Sequence, residues 1–109
     1  MRNTEFEGII AEAIVKKVRV LLRYEAAMNE RTFEPAALYY STKDRLKVNV
    51  SGVQVRDSAK PNSPISPRVF EVAKISKITL TSKEFKPDPR FNRLDKMYAN
   101  GIISYVKVI

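Results

Sequence analysis

Apolar residues first recur at helical spacing, in the segment from Thr4 to Lys17. They occupy one side of the helical period: Ile9, Ile10, Ala13 and Ile14. Acidic residues come early in the segment and lysines end it, as a helix dipole favours, and Thr4 with Glu7 fits a capping box. The segment predicts a short amphipathic helix whose apolar side either covers one end of a sheet or binds a partner.

After this helix the spacing changes to the alternation that is typical of β-strands. One alternating run covers 18–24, and a second, after a polar turn, covers 31–34 and 38–41. Pro35 interrupts the second run, which implies a bend, a bulge or an edge position because proline cannot donate a backbone hydrogen bond. We therefore expect a hairpin with a bent second strand, as in a small barrel.

The third predicted strand, 45–53, is both amphipathic and basic. Its apolar side chains share one face: Leu46, Val48 and Val50. Its polar side chains share the other face: Arg45, Lys47 and Asn49. The strand therefore offers a basic surface beside an apolar one.

The rest of the chain predicts a loop, two strands, a short helix and a final strand. Residues 57–67 hold three prolines and predict a surface loop, and 68–85 alternate in two runs that join near Ile75. A short helix is expected around 91–98, ended by an Asn-Gly pair, before a last strand over 102–108. The predicted fold is mainly β (α+β).

Length and charge narrow the class of protein. A chain of 109 residues with 44% hydrophobic residues has enough apolar surface for one core, so we expect residues 1–109 to form a single domain. Twenty Lys and Arg oppose twelve Asp and Glu, and the net charge of +8 favours a polyanionic partner. A merely solvated basic surface is the alternative.

The residue types that the chain lacks bear on chemistry. Without Cys there are no disulfides or thiolates, and without His the commonest general base and metal ligand are missing. The three glycines form no phosphate loop, and Asp88 and Asp95 lie where capping or salt bridging is expected. We expect no catalysis, no cofactor and no metal. No apolar run is long enough to span a membrane, and residues 1–8 do not form a signal peptide, so we expect a cytoplasmic location.

The order of these features resembles the WYL domain, an Sm-like β-barrel found mostly in bacterial transcriptional regulators. The segments that carry the resemblance are IIAEAI, a Val-rich strand ending at Tyr24, RTFEP, RLKV, RVFEVAKI and ITLTSKEF. The matching positions are Tyr24, Arg31, Pro35, Leu38, Arg68, Phe70, Lys74, Ile75, Thr81 and Phe85. The resemblance covers 9–85 and leaves 86–109 as a C-terminal extension. It implies a small Sm/SH3-like five-stranded barrel with an N-terminal helix, a short C-terminal helix and a last strand.

The chain departs from the family in two respects. Where the family has the Trp, Tyr and Leu that name it, this chain has Leu46, Lys47 and Val48. Only about eight residues precede the first helix, where the family usually carries a DNA-reading helix-turn-helix. We therefore expect a stand-alone or divergent WYL-like domain.

The resemblance implies a regulatory sensor that binds single-stranded nucleic acid or a nucleotide through basic and aromatic residues. Arg31 and Arg68 are the arginines of the family pattern, and guanidinium groups bind phosphate in bidentate fashion. Further cations lie on the polar faces of two strands, which can meet across a sheet: Arg19, Arg23, Arg45 and Lys47. Three tyrosines are candidates for stacking on bases: Tyr24, Tyr39 and Tyr40.

Each of these assignments has a structural alternative. A solvent-exposed face of the sheet explains the four strand cations equally well. For Arg31, the alternative is an ion pair with Glu34 or Glu71. Tyr24 and Phe70 share a face with aliphatic residues, which favours the core. Several lysines are expected to form a solvated edge that discourages strand addition: Lys74, Lys77, Lys83 and Lys86.

A second function class is a protein-interaction or dimerisation module. The barrel edge, the tail helix or the apolar last strand would then dock a regulator protein or a second copy. Salt separates the two classes, because phosphate binding weakens steeply as salt rises and an apolar interface does not.

Overall fold

The structure, a computed structural model, describes residues 2–108. Its first element is the helix α1, Thr4–Lys16, which begins at Asn3: the Asn3 side chain accepts a hydrogen bond from the amide of Phe6 at 3.0 Å. The predicted helix is confirmed, but the capping box on Thr4 is wrong because Asn3, one position earlier, supplies the cap. Lys17 ends the helix with a left-handed backbone, φ 54°.

Within residues 2–108, six antiparallel strands form one sheet, which confirms the mainly β prediction. Their bounds are β1 Val18–Tyr24, β2 Arg31–Tyr40, β3 Val48–Asp57, β4 Ser66–Glu71, β5 Ile75–Glu84 and β6 Ile102–Tyr105. The order across the sheet is β4-β3-β2-β1-β5, and β6 pairs with β2 off this path. A short 3₁₀-helix, Val72–Lys74, joins β4 to β5, and another, Lys96–Tyr98, precedes β6.

The sheet is open among residues 2–108, since β4 and β5, at the two ends of the path, do not pair with each other. A single 3₁₀ turn links these strands, and its Lys74 carbonyl accepts a hydrogen bond from the amide of Glu25, just after β1, at 2.8 Å. The closed barrel of the prediction is therefore not confirmed. Lys74, Lys77 and Lys83 on this side of the molecule are exposed, as expected of a solvated edge.

One face of the sheet, the inner face, carries the main core. Alternate residues of the strands point to it and are buried: Val20, Leu22, Phe33, Leu38, Val50 and Phe70. The helix α1 packs across this face through Ile10, Ala13 and Ile14, which are at most 1% exposed. The amphipathic helix thus covers the sheet of its own domain.

Pro35 lies at a bulge in the centre of the sheet. The pairing of β2 with β3 shifts register between Pro35 and Ala37, which confirms the predicted bulge. An edge position is wrong, because β3 flanks β2 on one side while β1 and β6 flank it on the other. The β1 ladder ends at Phe33 and the β6 ladder begins at Ala37, so Pro35 falls between two ladders, where a missing amide hydrogen is tolerated.

Four predicted boundaries are wrong. The third strand begins at Val48, because the alternation of apolar and polar residues starts before the strand itself does. Leu46 lies in the preceding turn with 80% of its surface exposed. The loop after β3 is shorter than predicted, since β4 already begins at Ser66. The helix expected over 91–98 is reduced to Lys96–Tyr98, and the last strand stops at Tyr105.

Local side-chain hydrogen bonds explain the lost helix. Three side-chain oxygens each accept a hydrogen bond from the backbone amide two residues later, at 2.9–3.0 Å. They belong to Asp88, Asn92 and Asp95. Such turns compete with the helical hydrogen-bond pattern. Within residues 2–108, no helix has the length and apolar character needed to cross a membrane.

The opposite face of the sheet, the outer face, is covered by the C-terminal extension. Tyr98 packs its ring against Tyr39 at a centroid distance of 4.8 Å, and both tyrosines are buried. The Tyr98 hydroxyl lies 2.9 Å from Oγ of Ser51 on β3. The extension therefore packs on the outer face through Tyr98, while its Val106 is buried in the main core.

Candidate functional site

A groove opens where the extension meets β3 and β4 on the outer side of the sheet. Its volume is about 540 Å³. We call it the Arg68 groove, and its walls are Ala36, Ser51, Gly52, Val53, Pro67, Arg68, Val69, Asp88, Arg90, Phe91, Met97 and Tyr98. The groove combines apolar walls with three charged residues, which is typical of a ligand site.

The strand pairing that forms one side of the groove depends on Gly52. A Cβ atom at this position would lie 2.7 Å from Cζ of Phe33 and would also collide with the Glu34 carbonyl oxygen. Glycine therefore allows β3 to approach β2 closely. Gly52 also pairs with Arg68 of β4, so this approach sets the position of the Arg68 backbone.

Two exposed arginines and one aspartate carry the charge of the groove. Arg90 donates from Nε and Nη2 to the two carboxylate oxygens of Asp88, at 3.2 and 3.1 Å. These bonds lower the pKa of Asp88 from its ordinary value, with the backbone amide of Arg90 as the second cause. Within residues 2–108, Arg68 has no carboxylate at salt-bridge distance. Of the two arginines in the groove, Arg68 is thus the one whose guanidinium is not held by a carboxylate of these residues.

Phe91 supplies an aromatic surface at the end of the groove. Its ring lies 5.9 Å from the Tyr98 ring and 6.4 Å from the Tyr105 ring, measured between centroids. Because Tyr98 is fixed to the sheet, Phe91 is held beside the charged rim. The predicted roles of Asp88 and Asp95 are confirmed: Asp88 forms a salt bridge and Asp95 caps the 3₁₀-helix.

Arg31 and Tyr24 come together elsewhere, at the end of the core. The Arg31 guanidinium carbon lies 5.6 Å from the centroid of the Phe70 ring, and Nη1 donates to Oε1 of Gln54 at 2.9 Å. The predicted ion pair of Arg31 with Glu34 or Glu71 is therefore wrong, because the Arg31 guanidinium donates to Gln54 instead. The Tyr24 ring lies 4.9 Å from Phe70, and its hydroxyl accepts from the Glu71 amide at 3.1 Å. The core assignment of Tyr24 and Phe70 is confirmed.

Arg19 and Arg23 stand on β1, which β2 separates from β3. Arg19 Nε donates to Oε2 of Glu34 at 2.8 Å across the strands. Arg23 has its Nε buried, with no hydrogen-bond partner among residues 2–108. Their use as ligand contacts stays a prediction.

Arg45 and Lys47 precede β3 instead of lying on it. Both are exposed, and Lys47 Nζ is 3.8 Å from Oε1 of Glu71. The two predicted basic stripes therefore do not form one continuous surface on adjacent strands. Tyr39 is too buried, at 3% exposed, to stack on a base, and the Tyr40 ring has the Arg2 guanidinium carbon 5.4 Å from its centroid.

The sequence reasoning missed Arg90, Phe91 and Tyr98 as site residues. The signal was the motif RFNR at 90–93, an aromatic residue between arginines in a segment with proline on its N-terminal side. The structure brings this motif beside Arg68, the one predicted ligand residue in the groove. Within residues 2–108, acidic residues form no cluster suited to a metal ion.

No family model matches the sequence, and no curated protein matches it either. A solved structure does: proteasome accessory factor B/C (PafBC) of Arthrobacter aurescens superposes with a TM-score of 0.57 at 20% sequence identity. The match covers 81% of this chain and 13% of that chain, so this chain corresponds to a small part of PafBC. At this identity the likeness establishes a shared fold.

Proposed function

We propose that this chain is a non-catalytic, ligand-sensing regulatory domain whose Arg68 groove binds a negatively charged ligand, a nucleotide or single-stranded nucleic acid. The observation that carries the proposal is the groove itself, about 540 Å³, with exposed Arg68 and Arg90 beside the ring of Phe91. Guanidinium groups bind phosphate with paired hydrogen bonds, and aromatic rings stack on bases of any sequence.

The charge of the whole chain supports the same class of ligand. A net charge of +8 raises the local concentration of anions and speeds their association. Among the described residues of the groove walls, Asp88 is the one acid, against two arginines. A phosphate group would compete with Asp88 for Arg90 and would meet Arg68 directly.

The regulatory part of the proposal rests on the resemblance of the sequence to the WYL domain over 9–85. The fold, which matches part of proteasome accessory factor B/C, is compatible with it. Sensing needs only binding, and the groove offers binding groups without a histidine or cysteine to perform covalent chemistry. In this proposal Arg31 and Tyr24 pack at the end of the core, while Arg68 and Arg90 contact the ligand.

The test is fluorescence anisotropy of labelled single-stranded and duplex oligonucleotides across a salt series. We expect micromolar or tighter binding to single strands, weakening as salt rises, and a loss of about tenfold in Arg68→Ala and in Arg90→Ala. Arg56→Ala is the matched control, since Arg56 is exposed and lies in neither wall of the groove. Equal losses in all three variants would contradict the proposal.

A protein-interaction or dimerisation role gives a different result. The last strand pairs with β2 of its own chain, through Ala37 and Tyr105, yet Ile103 and Tyr105 are each 38% exposed. Association through this apolar surface would persist at high salt and would be indifferent to Arg68→Ala. Sedimentation of the protein alone and with oligonucleotide distinguishes the two roles.

A further inference from the structure

A second hollow adjoins the Arg68 groove and shares Phe91 with it. Its volume is about 480 Å³, and its walls are the segments 91–94 and 105–108 of the C-terminal extension. We call it the Tyr105 hollow. The ring of Phe91 therefore lines both sites.

The Tyr105 hollow repeats the chemistry of the first site. The rings of Phe91 and Tyr105 are nearly parallel, inclined by 23° at a centroid distance of 6.4 Å. The guanidinium carbon of Arg93 lies 5.7 Å from the centroid of the Tyr105 ring, and Lys107 is a second exposed cation in the walls. Among residues 2–108, the hollow has no acidic side chain in its walls, whose charged side chains are Arg93 and Lys107.

The sheet holds the aromatic platform in place. Tyr105 is the last residue of β6 and pairs with Ala37 of β2. The next residue, Val106, is 2% exposed and donates from its amide to the Ala36 carbonyl at 2.7 Å. The Tyr105 backbone is therefore fixed on both sides while 38% of the residue stays exposed for contact. A rigid, half-exposed ring loses little entropy when it binds.

We propose that the Tyr105 hollow is a second nucleotide subsite, so that the ligand is single-stranded nucleic acid of at least two nucleotides. The inference rests on the proposed function, in which the first nucleotide occupies the Arg68 groove. The base of the neighbouring nucleotide stacks on Tyr105 and its phosphate meets Arg93 and Lys107. An isolated strand fits this arrangement because base stacking tolerates any sequence and the cations follow the backbone.

The test compares ligands of increasing length. Affinities are measured by calorimetry for a nucleoside 5′-monophosphate, a dinucleotide and a tetranucleotide, each as DNA and as RNA. We expect the dinucleotide to bind about tenfold more tightly than the mononucleotide. Tyr105→Ala should remove this gain, so that the dinucleotide binds no more tightly than the mononucleotide, and Arg93→Ala should reduce it. Ile103→Ala, at an equally exposed position of β6, is the control for strand stability.

The outcomes separate this inference from the proposed function. Mononucleotide binding that depends on Arg68 but does not strengthen with length would overturn the second subsite and leave the first. A gain with length that Tyr105→Ala retains would also overturn it. If neither mononucleotide nor oligonucleotide binds at low salt, both proposals are wrong. Thermal unfolding of each variant establishes that a loss of binding is not a loss of fold.

Discussion

The hydroxyl of Tyr98 and the hydroxyl of Ser51 lie 2.9 Å apart, although 47 positions separate the two residues in the chain. Both residues are buried, and the Tyr98 ring meets Tyr39 edge-on at 85°. This contact fixes the C-terminal extension to the outer face of the sheet. The sheet supplies one wall of the Arg68 groove and the extension supplies the other. The groove therefore exists only while Tyr98 is docked.

Truncation of Tyr98 should therefore affect stability and binding together. We expect Tyr98→Ala to lower the free energy of unfolding by about 3–5 kcal/mol, because a buried aromatic side chain is lost. Tyr98→Phe keeps the ring and should cost about 1 kcal/mol for the hydrogen bond to Ser51. Urea denaturation measures both. A Tyr98→Ala variant as stable as the parent chain would show that the extension does not dock as described.

Alkaline pH should destabilise the domain through the same tyrosines. Burial raises the pKa of Tyr98 and of Tyr39 above the ordinary value of 10.0. A raised folded-state pKa means that stability is complete below pH 10 and is lost as pH rises through the folded-state value. Unfolding midpoints measured from neutral pH upward should therefore fall above pH 10. The double variant Tyr39→Phe with Tyr98→Phe should lose less, and an equal fall would contradict this cause.

Two glycines should respond in opposite directions to substitution by alanine. Gly52→Ala places a methyl group 2.7 Å from Phe33 Cζ and against the Glu34 carbonyl, so we expect a loss of at least about 1–3 kcal/mol. Gly8→Ala, in α1 with nothing within 4 Å, should add about 0.5–1 kcal/mol through helix propensity. Thermal and urea unfolding of the pair test the register of β3 on β2. A neutral Gly52→Ala would show that the strands are not packed so closely.

Asp88 should limit the affinity of the groove for anions. Its carboxylate holds the Arg90 guanidinium with two hydrogen bonds, so Asp88→Asn should free Arg90 and strengthen oligonucleotide binding several-fold at low salt. Asp44→Asn makes the same change of charge in a turn outside both sites and is the matched control. The measurement compares the oligonucleotide binding curves of the Asp88→Asn and Asp44→Asn variants at low salt. A gain of equal size in both would attribute the effect to net charge alone.

Much of the fold followed from the sequence because alternation and helical spacing reflect which side chains a sheet and a helix bury. The pattern failed at Leu46, where alternation continues into an exposed turn, and at 91–98, where Asp and Asn side chains satisfy backbone amides that a helix would use. Residue spacing also cannot reveal the salt bridge between Arg19 and Glu34, because that pairing depends on strand register.

The site was less accessible to sequence reasoning. Arg68 was found through the family resemblance, but its neighbours Arg90 and Phe91 lie more than twenty positions away in a segment outside that resemblance. Only the docking of Tyr98 on Ser51 brings them together. Arg31, which the same resemblance suggested, instead packs on Phe70 at the end of the core.

The most direct test of the central claim locates the ligand on the protein. A nucleoside monophosphate is titrated into isotope-labelled protein while backbone and arginine side-chain NMR signals are followed. We expect the largest shifts on the residues that surround the Arg68 groove: Ser51 to Val53, Arg68, Arg90 and Phe91. Shifts confined to Tyr24 and Arg31, or spread over the lysines of β5, would contradict it.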